Sequence, residues 1–117
     1  MIFVTGPRFS GKRTYIQRAL GLTDEEFAKK AACEVQDRLS GTVSEEELKK
    51  LADRLSGYEI VTASETGCGV FPVDADERVK REEAGRLACL LAERADVVIR
   101  MCCGLPEILK GQDHFSR

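Results

Sequence analysis

The sequence predicts an α/β fold built on a small, mostly parallel sheet, and three observations lead there. A strand-like run, Met1-Ile2-Phe3-Val4-Thr5, opens directly into a glycine loop. A second run, Tyr58-Glu59-Ile60-Val61-Thr62-Ala63, does the same, and a third, Val97-Val98-Ile99-Arg100-Met101, follows a long helical pattern. Parallel strands need crossovers, and segments of helical period separate these three runs.

The elements follow from their local chemistry. From Gly11 the pattern is helical through Tyr15, Ile16, Ala19 and Leu20, and Gly21 supplies the stop. Thr23 with Glu26, and Ser44 with Glu47, both match a capping box, in which each side chain satisfies an exposed backbone donor of the other residue. The helix after Thr23 is expected to carry Phe27, Ala31, Val35 and Leu39 on one face, and the helix after Ser44 carries Leu48, Leu51, Ala52 and Leu55. Both run into the tetrapeptide Arg-Leu-Ser-Gly, at residues 38–41 and 54–57, so a helical hairpin is expected. Beyond Pro72, Asp74 and Glu77 have capping spacing, and Val79, Leu87, Leu90 and Leu91 mark a long helix to about Arg94. Residues 112–117 are expected to fray.

With 117 residues the chain is expected to form one domain, 1–117. Its 18 basic and 20 acidic residues leave a formal net charge of -2, which gives no electrostatic case for nucleic acid as partner. No stretch is apolar enough to cross a bilayer, so no membrane partner is expected. The five cysteines lack repeated C-x-x-C spacing and no signal-peptide pattern precedes them, which points to reduced thiols and a cytoplasmic location. Cys68 reads as a small loop residue and Cys102-Cys103 as a buried strand end, and no structural metal is expected. The run from Glu45 to Lys50 reads as a solvated helix face. A three-stranded sheet has edges to protect, and a homo-oligomer is the expected cover.

The sharpest motif is Gly6-Pro7-Arg8-Phe9-Ser10-Gly11-Lys12, which fits G-x-x-x-x-G-K between a strand and a helix. Backbone N–H groups converge in such a loop, the helix start adds partial positive charge, and the Lys12 ammonium reaches terminal phosphates. The expected ligand is ATP or GTP with Mg2+. After the lysine, where a Ser or Thr usually serves Mg2+, stands Arg13, and the nearest hydroxyl, Thr14, lies roughly 100° further around the helix. Two readings of Arg13 stay open, extra phosphate donor or solvent-exposed side chain. Glu65 follows a strand end, where it can orient a metal or a substrate hydroxyl. Arg78 and Arg81 share a helical face and either hold a phosphate or pair with Glu77, Glu82 or Glu83.

The glycine loop, together with Glu65-Thr66-Gly67-Cys68-Gly69-Val70-Phe71-Pro72, resembles the adenosylcobinamide kinase/adenosylcobinamide-phosphate guanylyltransferase family of cobalamin synthesis. Arg78, Arg81, Gly85 and Arg86, then Ala92, Ala95-Asp96, Gly104-Leu105-Pro106 and Leu109-Lys110, continue the likeness, which covers residues 1–20 and 58–111. The resemblance implies a P-loop NTPase-like three-layer fold. It also implies phosphorylation of the adenosylcobinamide aminopropanol hydroxyl by ATP or GTP, then GMP transfer through a histidine. It assigns Lys12 and Glu65 to catalysis, Thr14 and Glu65 to the metal, and the loop residues Gly6 to Thr14, with Arg78 and Arg81, to the nucleotide. Residues 21–57 contain no histidine and the sole one, His114, reads as a solvated tail residue, so guanylyl transfer is not expected. The family's additional strand with its acidic residue near the nucleotide is not recognisable in the shortened middle of the chain. Two functions stay open: a phosphotransferase, or a noncatalytic nucleotide- or anion-binding module derived from one.

Overall fold

The computed structural model describes residues 1–65 and 75–111, of which 75–77 by their backbone only. Thr66 to Asp74, with Cys68 and the expected cap at Asp74, lie outside the described residues, as do the side chain of Glu77, the tail and His114.

Among the described residues, five strands and four α-helices form an α/β arrangement. In chain order they are β1 (Ile2–Gly6), α1 (Lys12–Leu20), α2 (Asp24–Lys30), β2 (Ala31–Ala32), a 3-10 turn (Val35–Arg38), α3 (Glu45–Leu55), β3 (Ile60–Ser64), α4 (Ala75–Arg94), β4 (Val97–Cys102) and β5 (Leu105–Lys110). The sheet order is β2-β3-β1-β4-β5. The first four strands are parallel, with Phe3 beside Val61 and Val98, and β5 returns antiparallel to β4.

Alternation along the strands sorts the core into two layers. Phe3, Val61 and Val98 face α3 and α4, meeting Leu48, Ala52, Leu55, Leu87 and Leu91. Val4, Ile60 and Ile99 face the other way, onto Ile16 of α1 and Phe27 of α2. Gly21 ends α1 in the left-handed region, where its N–H reaches Arg18 O at 3.2 Å and the Leu22 N–H reaches Gln17 O at 2.9 Å. This is the expected glycine stop. The Thr23 capping box forms in full. At Ser44 only half of it does: Ser44 Oγ accepts from Glu47 N, but the Glu47 carboxylate takes the Ser44 hydroxyl rather than its backbone N–H.

Three expectations are corrected. The helix after Thr23 stops at Lys30, so no helical hairpin forms. Ala31 and Ala32 instead pair with Ile60 and Val61 as β2. Phe27 belongs to one core layer while Ala32, Val35 and Leu39 belong to the other, and one straight helix cannot serve both faces of a sheet. The sheet has five strands rather than three. Finally, Cys102 and Cys103 are exposed, because Cys103 and Gly104, with φ 52° and 77°, form a two-residue turn that swings the chain out into β5. No helix among the described residues is long and apolar enough to cross a membrane.

Candidate functional site

The glycine loop occupies the C-terminal end of β1, between β3 and β4. Gly6 has φ 145°, and a Cβ there would stand 2.3 Å from the Met101 carbonyl oxygen, so only glycine lets β1 end against β4. Gly11, at φ 88°, turns the chain into α1 without a side-chain cap. The β4–β5 turn braces the loop from outside, the Gly104 N–H donating to Ser10 O at 2.9 Å. Ser10 Oγ is buried and makes no hydrogen bond among the described residues.

Lys12, the first residue of α1, is 6% exposed, and its side chain folds back inside the loop. Its Nζ donates to Pro7 O at 2.9 Å, to Ser64 Oγ at 3.0 Å and, more weakly, to Gly6 O at 3.4 Å. The Glu34 carboxylate stands 3.9 Å away. Burial pulls the Lys12 ammonium below the usual lysine range, partly offset by the negative charge of Glu34.

Glu34 belongs to the middle stretch in which sequence reading could not recognise the family's additional strand with its acidic residue. It lies two residues beyond β2, in a left-handed conformation at φ 49°, and its N–H donates to Thr62 Oγ1 at 3.1 Å. Its Oε2 accepts from Ser64 Oγ at 2.7 Å and from Gln36 Nε2, and Gln36 Oε1 accepts from Ser64 N at 3.0 Å. Burial alone would push the Glu34 carboxyl up. The hydrogen bonds from Gln36 and Ser64, with the charges of Lys12 and Arg8, outweigh it and hold the group below its ordinary range. An ionised carboxylate and a cation therefore sit side by side, the cation against the loop carbonyls of Gly6 and Pro7. A cleft of about 300 Å³ opens above them, bordered by Phe9, Thr14, Cys33 and Thr62 as well as by the loop.

The expected site residues divide. Ser10, Gly11 and Lys12 come together with Thr14 at the cleft, and Gly6 lies behind them with its carbonyl toward Lys12 Nζ. Pro7 contributes its carbonyl. Phe9 stands fully exposed at the tip, at φ 60°. The Arg8 guanidinium reaches Asp37 at 3.4 Å. Arg13 borders the cleft, and its guanidinium lies 5.0 Å over the Phe27 ring and 3.6 Å from Asp24.

Glu65 and Arg81 line a second cleft, of about 250 Å³, on the α4 side of the sheet. Glu65 is held by Arg100, Nε to Oε1 at 2.7 Å and Nη2 to Oε2 at 3.0 Å, a forked pair that keeps the guanidinium pKa well above its usual value. Arg78 is exposed on α4 and lines neither cleft. Nor does Glu83 pair with either arginine in the way the sequence allowed: it is buried, and its two oxygens accept from Gly41 N at 2.9 Å and Val43 N at 2.7 Å.

Sequence reasoning missed Glu34, Gln36, Ser64 and Arg100. Ser64 was within reach, as the polar residue that ends a predicted strand beside Glu65. Glu34 was hidden because β2 has two residues, too few for a periodic signal. Among the described residues no group of three or more His, Cys, Asp or Glu side chains forms a metal cage.

No family model matches the chain. It is 38% identical over 80 residues to the bifunctional adenosylcobalamin biosynthesis protein CobP of Pseudomonas aeruginosa. That match takes in 68% of this chain and 45% of CobP, so the chain spans under half the length of the curated relative to which it is similar.

Proposed function

We propose that residues 1–117 form a P-loop-type domain that binds ATP or GTP through the Gly6–Lys12 loop and transfers phosphate to adenosylcobinamide in cobalamin biosynthesis. The observation that carries this reading is the buried Lys12 ammonium held against the loop carbonyls of Gly6 and Pro7, with the Glu34 carboxylate 3.9 Å away. The likeness to CobP supplies the pathway. Nucleotide phosphates replace Pro7 O and Gly6 O as acceptors for Lys12, and the amides at the start of α1 receive the remaining charge.

Magnesium bound with nucleotide is commonly held by one or two protein oxygens together with phosphate oxygens, which suits a site that has no closed cage. Glu34 and Thr14 would hold it here, since both oxygens of Glu65 are taken by Arg100. When bound, the ion neutralises phosphate charge. In the transfer the acceptor oxygen bonds to the γ-phosphorus as the bond from that phosphorus to the bridging oxygen breaks. The nucleoside diphosphate leaves with the electron pair and the hydroxyl proton goes to water.

The reading ends at the kinase step, because the only histidine in the sequence is His114. A homo-oligomer belongs to the same proposal, with the exposed Leu105 and Leu109 of edge strand β5 as its contact. One observation favours the second reading, a noncatalytic module: Arg13 occupies the usual metal-hydroxyl position and is engaged by Asp24 and Phe27. Incubation of adenosylcobinamide with γ-labelled ATP or GTP separates the two. Label should reach the acceptor and fall about 100-fold or more in Lys12→Ala. Nucleotide binding without transfer selects the module, and absence of both overturns both readings.

A further inference from the structure

The turn between β4 and β5 holds two reactive groups that neither the fold nor the glycine loop uses. Cys102 ends β4, paired with Leu105, and Cys103 with Gly104 makes the two-residue connection, at φ 52° and 77°. Such a connection favours Asn, Asp or Gly, so the turn itself does not ask for a cysteine. Free cysteine usually serves as a small buried hydrophobe, yet both thiols here are exposed. Accessible sulfhydryl groups therefore stand on consecutive residues.

Consecutive thiols differ from single ones in what they do with a disulfide. A single exposed thiol, such as Cys33 or Cys89, exchanges with a small disulfide and stops at the mixed product. With a second thiol on the next residue, the mixed product is attacked in turn and the small thiol is expelled, as where a redox-sensing cysteine stands beside a resolving one. The ring closed in this way is strained, because adjacent residues hold their Cα atoms about 3.8 Å apart whereas a disulfide usually spans roughly 4.4–6.8 Å. Strained, exposed disulfides are readily reduced, so the step reverses.

The backbone of residues 102–103 has to move to close that ring, and the glycine loop rests on it. The Gly104 N–H donates to Ser10 O at 2.9 Å, and a Cβ on Gly11 would stand 3.4 Å from the Gly104 Cα. Both contacts depend on the positive φ of Cys103 and Gly104.

We propose that Cys102 and Cys103 are a thiol–disulfide exchange site for low-molecular-weight disulfides such as oxidised glutathione, and that closing their bond withdraws the β4–β5 brace from the glycine loop. The thiolate of one cysteine attacks oxidised glutathione, forming a mixed disulfide and releasing a glutathione thiolate, which takes up the proton that the cysteine lost. The neighbouring thiolate then attacks the protein sulfur of the mixed disulfide, and the second glutathione leaves in the same way. The cysteine pair is oxidised by two electrons, and one oxidised glutathione becomes two glutathione thiols. The nucleotide reading enters only in making the braced loop a phosphate site, and the exchange stands without it.

The test treats the reduced full chain with oxidised glutathione, traps remaining thiols with a maleimide and digests with trypsin, which cuts after Arg100 and Lys110 and isolates both cysteines in peptide 101–110. This peptide should lose two hydrogens while the intact protein keeps the mass of a single chain. That form should exceed the glutathione adduct about tenfold, the advantage of a neighbouring thiol at millimolar effective concentration over glutathione at about 0.1 mM. Cys33 and Cys89 should stop at the adduct in the same digest, as should Cys102 in Cys103→Ser, and dithiothreitol should restore the parent peptide. Amide spectra of the treated parent should show shifts at Ser10, Gly11 and Gly104 that are absent from a Cys102→Ser/Cys103→Ser double variant treated alike. Peptide 101–110 left unmodified, left mainly as the adduct, or losing hydrogens even in Cys103→Ser would overturn the site. Ring closure with unmoved Ser10 and Gly11 amides would overturn its link to the loop. ATP added to the same samples reports nucleotide binding separately, so a failure of that reading leaves the thiol result legible.

Discussion

Replacing Lys12 by methionine separates a lysine kept for a ligand from one kept for the fold. In the ligand-free protein Nζ makes two short hydrogen bonds, to Pro7 O at 2.9 Å and Ser64 Oγ at 3.0 Å. Bonds from a charged donor contribute about 1.5–3 kcal/mol each, so the pair is worth roughly 3–6 kcal/mol. Against this stands the cost of holding an ammonium out of water, several kcal/mol for a buried ion. The same burial lowers the Lys12 pKa. The opposing effects nearly cancel, and methionine keeps most of the buried hydrocarbon. Ser64 still donates to Glu34, leaving Pro7 O as the main acceptor without a partner. Urea unfolding at pH 7 should therefore find Lys12→Met within about 1.5 kcal/mol of the parent, while ATP binding is lost. A loss of stability above about 3 kcal/mol would show that the lysine is chiefly a structural tie and refute the cancellation.

Other residues make independent demands. Glu83→Ala strands the amides of Gly41 and Val43, and thermal unfolding should show a loss of about 3–6 kcal/mol for the two carboxylate bonds. Phe9→Gly should not destabilise the protein in the same assay and should add about 0.5–1 kcal/mol, because Phe9 holds φ 60° while making no buried contact. Glu34 is held below the ordinary carboxyl value of 4.5, so between that value and its folded one the unfolded chain binds more protons. Its contribution to stability is complete above pH 4.5 and is lost as pH falls through the folded value. Glu34→Gln should flatten that part of the acid unfolding curve.

Much of the fold was legible because its signals are local. The β1 run, the glycine exit, the Thr23 capping box and the Gly21 stop each rest on contacts within a few residues, and each appears where the sequence indicates. The failures are non-local. Phe27, Val35 and Leu39 share helical spacing, yet the chain crosses the edge of the sheet between the first and the others, a change that spacing cannot encode. Strand β5 has exposed Leu105 and Leu109 and begins Leu105-Pro106, so it lacks the apolar alternation of a core strand and is defined by its pairing with β4. The loop residues of the candidate site could be read because their spacing is fixed by the phosphate-cradling turn. Glu34 and Arg100 could not, since their opposite charges, Lys12 and Glu65, lie 22 and 35 positions away along the chain.

The most direct measurement is a calorimetric titration of the full chain with ATP and with GTP in the presence of magnesium, followed in parallel by backbone amide spectra. Binding at the Gly6–Lys12 loop predicts saturable heat with at least one of the two nucleotides, shifts concentrated at residues 10–13, and loss of both signals in Lys12→Ala. Flat titrations with both nucleotides and unmoved loop amides would contradict the account at its centre.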